Sequence, residues 1–116
     1  MGSNPHPSSN NIISQLYNII GNMEMARYIM SILKTQLIVV WSWGFHNPVA
    51  LPNNEGLRFN VQGKLFRGVV DVVYNEGQDL FDVSFIKSGK VVDTIEGVHF
   101  DSLVSAIDYY VETPIP

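Results

Sequence analysis

The chain has 116 residues, of which 46% are hydrophobic and 16% are charged, and this is the length and composition of one globular domain rather than a disordered protein. It contains no Cys, which excludes disulfides, thiolate metal sites and cysteine nucleophiles. The formal charge is −4, with five Lys and Arg against two Asp and Glu in residues 1–70 and two against nine in residues 71–116. Nucleic acid is therefore not an expected partner, because a general nucleic-acid binder presents a basic field.

Residues 1–10 are polar and contain no Lys or Arg, which predicts a disordered leader and not a signal peptide. Residues 11–113 are predicted to form a single domain. No apolar run reaches the roughly 18–20 residues that a membrane-spanning helix needs. We therefore expect a cytoplasmic protein that does not contact a membrane.

Apolar residues recur every three or four positions from residue 12 to residue 33, which predicts a helical region with one buried stripe. Gly21 can end a first helix and Asn22 can cap a second one. The alternative is a single helix with a weak point, because Gly inside a helix costs only about 1 kcal/mol relative to Ala. In both versions the stripe faces the same core; its members are Ile12, Leu16, Ile19, Met23, Ala26, Met30 and Leu33.

Residues 36–45, QLIVVWSWGF, are β-branched and aromatic and predict a strand. Trp41 and Trp43 have the same parity and would share one strand face. Core packing is the ordinary role for such a pair, and stacking on a base or sugar is the alternative. Residues 46–56 contain two Pro, three Asn and a Gly, which predicts a loop.

Residues 57–96 alternate apolar and polar side chains between turn signals, which predicts a four-stranded antiparallel meander. The predicted two-residue turns are Gly63-Lys64, Glu76-Gly77 and Ser88-Gly89, and Gly77 is expected to need a positive φ. Each turn preserves the same apolar face, and a slip of one residue would scramble it. The centre of this face is predicted to be Phe59, Val70, Val83 and Phe85.

A closing helix is predicted to begin after Asp101, a suitable N-cap, and to stop before Pro114. A sheet with one apolar face needs a cover, and the two helical regions supply it. The predicted fold class is α+β: an antiparallel β-meander of four to five strands with an N-terminal helical region and a C-terminal helix packed on one face.

Acidic residues concentrate on the opposite, outer face of the predicted sheet. With two-residue turns, Asp71 lies directly opposite Asp82, and Asp93 is diagonal to Asp82 on the next strand. These three carboxylates would form an oblique row, each eleven residues from the next. Arg58 and Arg67 share this face, with Arg58 diagonal to Asp71. Apolar residues predicted to lie beside them are Val69, Val73, Leu80, Ile86, Val91 and Ile95.

Three interpretations of the outer face are open. It is a solvated sheet surface with a diagonal Arg–Asp contact, a divalent-cation site, or a docking surface for a partner. Carboxylates suit Mg²⁺ or Ca²⁺, although a flat sheet seldom supplies enough oxygen ligands. The apolar residues favour docking, because a fully exposed face is normally more polar.

The segments GLRFNV, VVDVVYNEGQDLFDVSFIK and GVHFDSLVSAID resemble a loose group of small proteins from bacterial mobile elements and phages. The group's pattern is an N-terminal helix, a G-L-x-F strand, an N-x-x-x-D-x-(Y/F)-D-V-x-F hairpin, a short acidic strand and a closing helix. The resemblance covers roughly residues 55–110. It implies the fold and carries over no activity or catalytic residue. The hairpin positions that match are Asn75, Asp79, Phe81, Asp82, Val83 and Phe85.

We expect a non-enzymatic domain that binds another macromolecule, a protein partner or a second copy, through the outer face of its sheet. No cofactor or metal is expected; the binding residues are Arg58, Arg67, Asp71, Asp82, Asp93, Val73 and Leu80. One alternative is a small metal-dependent enzyme that uses the acidic row. The other is a single-strand nucleic-acid binder that uses Trp41, Trp43, Arg58 and Arg67. No nucleophile elbow, phosphate-binding loop or dinucleotide-binding glycine motif is present.

Overall fold

The structure is a computed structural model that describes residues 24–112. The predicted leader, and the question of one or two helices around Gly21, lie outside the described residues. The strands form one antiparallel sheet in the order β1-β2-β3-β4-β5, a simple meander. The described elements are helix α1 (residues 24–34), helix α2 (Leu37–Ser42), strands β1 (His46–Ala50), β2 (Gly56–Gln62), β3 (Arg67–Asn75), β4 (Leu80–Lys87) and β5 (Lys90–Val98), and helix α3 (Leu103–Val111), with 3-10 turns at Pro52–Asn54 and Phe100–Ser102.

One hydrophobic core lies between the sheet and the three helices, which confirms the predicted α+β class. Each helix places an aromatic side chain on the sheet or beside it. Tyr28 of α1 packs on Phe81, Trp43 at the end of α2 stacks on Phe59, and Tyr110 of α3 stacks on Phe85 at 3.7 Å between ring centroids. The four predicted core residues, Phe59, Val70, Val83 and Phe85, are all completely buried.

The first hairpin loop is longer than predicted. Gln62 pairs with Arg67, so the loop has four residues, 63–66, and every β2–β3 partner shifts by two positions. A shift of two leaves each side chain on its predicted face, because side chains alternate with period two. The loop is held by α3: Leu65 N–H donates to the Val111 carbonyl and Lys64 N–H donates to Glu112 Oε2, both at 2.9 Å.

The second hairpin loop is also two residues longer than predicted. Asn75 pairs with Leu80 and the turn comprises residues 76–79, not only Glu76-Gly77. The positive φ falls on Asp79, at 55°, and not on Gly77, so that prediction was wrong. Asp residues tolerate the left-handed region. The Tyr74 hydroxyl, which donates to Asp79 Oδ1 at 2.6 Å, helps to hold this conformation.

The third turn, Ser88-Gly89, has the predicted length and places φ at 51° and 78° in a type I′ pattern. Strand β5 then contains two register shifts relative to β4, each a bulge with one extra residue. After the first shift Asp93 pairs with Phe85, and Ile95 pairs with Val83. Both residues therefore lie on the helix side of the sheet, although they were predicted on the outer face.

The prediction of a strand at residues 36–45 is wrong. Residues Leu37–Ser42 form helix α2, which buries Val40, and Trp43 follows one helical turn later. The free edge of β2 is occupied instead by β1, which lies within the predicted loop. Pro48 is tolerated there because β1 is an edge strand and Pro48 lies within the register shift between His46 and Val49. The described residues contain no helix with both the length and the apolar character needed to cross a bilayer.

Candidate functional site

The outer face is the side of the sheet that points away from α1, α2 and α3. Cross-strand pairs arrange its side chains in rows perpendicular to the strands. None of its side chains is fully buried by another described residue. The middle row is Arg58, Asp71, Ser84 and Thr94. The row on one side of it is Asn60, Val69, Ile86 and Val91, and the row on the other side contains Gly56, Val73 and Asp82.

Arg58 and Asp71 form a bidentate ion pair at the centre of the outer face. Arg58 Nε lies 2.7 Å from Asp71 Oδ1, and a terminal guanidinium nitrogen lies 2.9 Å from Oδ2. The two residues are directly opposite across β2 and β3, not diagonal as predicted. The hydrogen bond and the charge of Asp71 raise the pKa of Arg58 above its usual value. The Asp71 side chain is 13% exposed and the Arg58 side chain 47%, so Arg58 shields its partner from solvent.

Asp82 does not face Asp71. Its partner on β3 is Val73, and Asp71 pairs with Ser84 on β4. Asp82 Oδ1 accepts a hydrogen bond from the Gly97 N–H at 3.0 Å, next to the second bulge of β5. Gly97 has a φ of 70°, which a residue without a Cβ adopts at low cost. Asp82 therefore anchors the edge strand.

Asp93 lies on the other side of the sheet from Asp71 and Asp82. Its Oδ1 accepts the Thr94 N–H at 2.9 Å, and its carboxylate faces Tyr110 of α3. Burial raises the pKa of Tyr110, and the charge and hydrogen bond of Asp93 raise it further. The predicted acidic row is thus divided among three separate environments. Across residues 24–112, no three His, Asp or Glu side chains are placed to share a metal ion.

The apolar part of the outer face is retained apart from Ile95. Val69, Val73, Leu80 and Ile86 are half-buried among their neighbours, and Val91 on the edge strand is 60% exposed. Ser84 and Thr94 are neighbours in the middle row, with their hydroxyls 3.4 Å apart. The outer face is therefore a mixed surface in which the central charges are already neutralised by each other.

The residues of the predicted nucleic-acid site are not brought together. Trp43 is completely buried and donates from Nε1 to Asp108 Oδ1 at 2.9 Å. Trp41 is 67% exposed on α2, on the helix side of the sheet. Arg58 is held by Asp71, and Arg67 lies exposed at one end of the outer face.

The structure also separates charge along the strands, which the sequence reasoning missed. The meander brings the second and fourth connections, β2–β3 and β4–β5, to one end of the sheet. This basic end carries Lys64, Arg67, Lys87 and Lys90, all exposed. The opposite, acidic end carries Glu55, Glu76, Asp79, Asp82 and Glu96, of which all but Asp82 are exposed. The signal was available in the sequence, because a meander returns every second turn to the same end.

Comparisons with protein-family models, curated proteins and solved structures give no match. The resemblance to small proteins of mobile elements and phages therefore stays a prediction.

Proposed function

We propose that this chain is a non-enzymatic, cytoplasmic protein-binding domain whose outer sheet face docks a protein partner. The observation that carries the proposal is the open outer face itself. Its half-buried Val69, Val73, Leu80 and Ile86 lie beside a satisfied ion pair, and no described element covers them.

A satisfied ion pair at the centre of an apolar surface is compatible with burial by a partner. A charge that loses water without a partner is costly to bury, whereas a bidentate pair keeps its hydrogen bonds when it is covered. Arg58 and Asp71 form such a pair within one chain. A partner can therefore cover this row without supplying a counter-charge.

The three carboxylates of the predicted acidic row lie apart, and this arrangement gives no support to the alternative of a metal-dependent enzyme. Asp71 binds Arg58, Asp82 binds the Gly97 N–H, and Asp93 faces α3. Each carboxylate has a structural partner, and each lies in a different setting. Binding through the outer face, without a cofactor, remains the function that this arrangement supports best.

The test is co-purification of cross-linked partners with the full chain in three forms. The wild type is compared with Leu80→Lys on the outer face and with Ile38→Lys on α2. Ile38 is a matched control because it is an aliphatic residue, 83% exposed, on the helix side of the sheet. We expect Leu80→Lys to lose the partner and Ile38→Lys to retain it. Loss with Ile38→Lys and retention with Leu80→Lys would place the interface on α2 and overturn the proposal.

A further inference from the structure

We propose that the partner on the outer face is a second copy of this chain, packed face to face about a two-fold axis that reverses the strand direction. The inference rests on the proposed function and specifies its partner. Three features of the sheet support it: the separation of charge along the strands, the composition of the rows, and the protection of both sheet edges.

The charges at the two ends of the outer face make it complementary to itself: Arg67 lies at one end, and Asp82 and the turn that contains Glu76 lie at the other. A two-fold axis that lies in the interface, perpendicular to the strands, places the basic end of one copy over the acidic end of the other. Such an isologous contact uses the same surface twice and closes at two copies. A two-fold axis parallel to the strands would instead place Arg67 of both copies at the same end of the interface, which like-charge repulsion disfavours.

Along β3 the outer face matches itself under the same symmetry. With the axis along the middle row, Val69 of one copy lies over Val73 of the other, because these residues are one row on either side of Asp71 on β3. Arg67, two rows from the axis, lies over the turn that contains Glu76. The Arg67–Glu76 contact between copies is therefore peripheral, and the Val69–Val73 contacts flank the axis. The Arg58–Asp71 pair of each copy, already neutralised within its own chain, lies on the axis itself.

The size of the face suits a weak dimer. Five strands spaced about 4.8 Å apart, each about seven residues long at about 3.4 Å per residue, give a footprint of roughly 24 by 24 Å. The two copies together would cover on the order of 1,100 Å², just above the approximately 1,000 Å² expected of a specific interface. We therefore expect micromolar self-association.

Packing by faces is favoured over pairing by edges. On one edge, Pro48 of β1 lacks the N–H that a further strand would need. On the other edge, β5 contains two bulges, a common means of protecting an edge strand. The face is the one large surface of the described sheet that carries no such protection.

The first experiment is sedimentation velocity of the full chain over a concentration series from about 1 µM to about 1 mM, at low and high NaCl. We expect a monomer–dimer equilibrium that weakens with salt, because exposed charges are screened beyond a Debye length of about 10 Å at 0.1 M. Arg67→Glu and Glu76→Arg should each weaken the dimer about tenfold, and the double variant should regain most of the affinity. Lys34→Glu on α1 is the matched control and should change nothing.

The second experiment measures the orientation. Because the chain has no Cys, a spin label can be placed at Thr94→Cys in the middle row or at Ser105→Cys on α3. The distance between labels in the dimer should be much shorter for position 94. A chain that stays monomeric, a double variant that regains no affinity, or a shorter distance at position 105 would overturn the inference. If the chain is monomeric but Leu80→Lys still abolishes binding to a different protein, the proposed function stands and only the identity of the partner as a second copy is overturned.

Discussion

Gly63→Ala is expected to be among the most damaging single-methyl changes in the chain. A Cβ at position 63 would overlap both the Val111 Cγ1 and the Val111 carbonyl oxygen, and it would lie 2.9 Å from Glu112 Oε2. The carbonyl belongs to the last turn of α3, so the loop and the helix end must move apart. The reason is close approach rather than backbone conformation, since Gly63 is not among the residues of positive φ.

The magnitude follows from the contacts that separate. Overpacking of a filled site costs about 1–3 kcal/mol. The hydrogen bonds from Leu65 N–H to Val111 and from Lys64 N–H to Glu112 contribute about 0.5–1.5 kcal/mol each. We expect a loss of about 2–6 kcal/mol in the free energy of unfolding, reduced by up to about 1 kcal/mol because Ala restricts the unfolded chain.

Urea denaturation followed by circular dichroism measures this loss, and Gly77→Ala is the matched control. At position 77 the nearest atom to a new Cβ is Asn75 Oδ1 at 3.6 Å, an ordinary contact. Gly77→Ala should therefore be neutral or slightly stabilising. Equal midpoints for Gly63→Ala and the wild type would show that the loop does not pack on the end of α3, and the reasoning would be wrong.

Three further predictions concern the core, the ion pair and the response to pH. Phe85→Ala should lose about 3–5 kcal/mol in the same denaturation assay, because the side chain is completely buried against Tyr110; a loss below 1 kcal/mol would contradict the packing described. A double-mutant cycle on Arg58 and Asp71 should give a coupling of only about 0.2–1 kcal/mol, decreasing with salt, because the Arg58 side chain is half-exposed. The raised pKa of Tyr110 favours its neutral form in the folded chain, so its contribution to stability is complete below about pH 10, the ordinary tyrosine value. That contribution should be lost as the pH rises through the raised pKa, and Tyr110→Phe should make the alkaline loss of stability smaller; an unchanged alkaline profile would contradict it.

The faces of the strands were determined by the sequence. Alternation in residues 57–85 gives Phe59, Val70, Val83 and Phe85 to one face, and these residues are buried together. The prediction tolerated errors in both hairpin loops, because each loop was longer by two residues and a shift of two preserves the face. Local periodicity therefore carries the class of fold and the composition of its core.

The cross-strand partners were decided by tertiary structure. The β2–β3 loop has four residues where its backbone N–H groups meet the end of α3, a contact between positions 48 residues apart for Lys64 and Glu112. The bulges of β5 moved Asp93 to the helix side, where it faces Tyr110, and left Asp82 to bind the Gly97 N–H. No local pattern specifies such distant contacts. The alternation of apolar and polar residues alone therefore did not show that the three carboxylates of the predicted acidic row are apart.

Helix α2 shows most clearly that local sequence patterns do not specify contacts between distant segments. Its β-branched and aromatic residues favour a strand locally, but a strand needs an edge on which to pair. The edge of β2 is taken by β1, and the helical turn instead buries Val40 and Trp43 in the core. The sequence by itself determined the meander, its apolar face and the charge of each turn. Only the packed chain decided which segment fills the edge and which carboxylates meet, because those choices depend on competition between distant segments for the same surface.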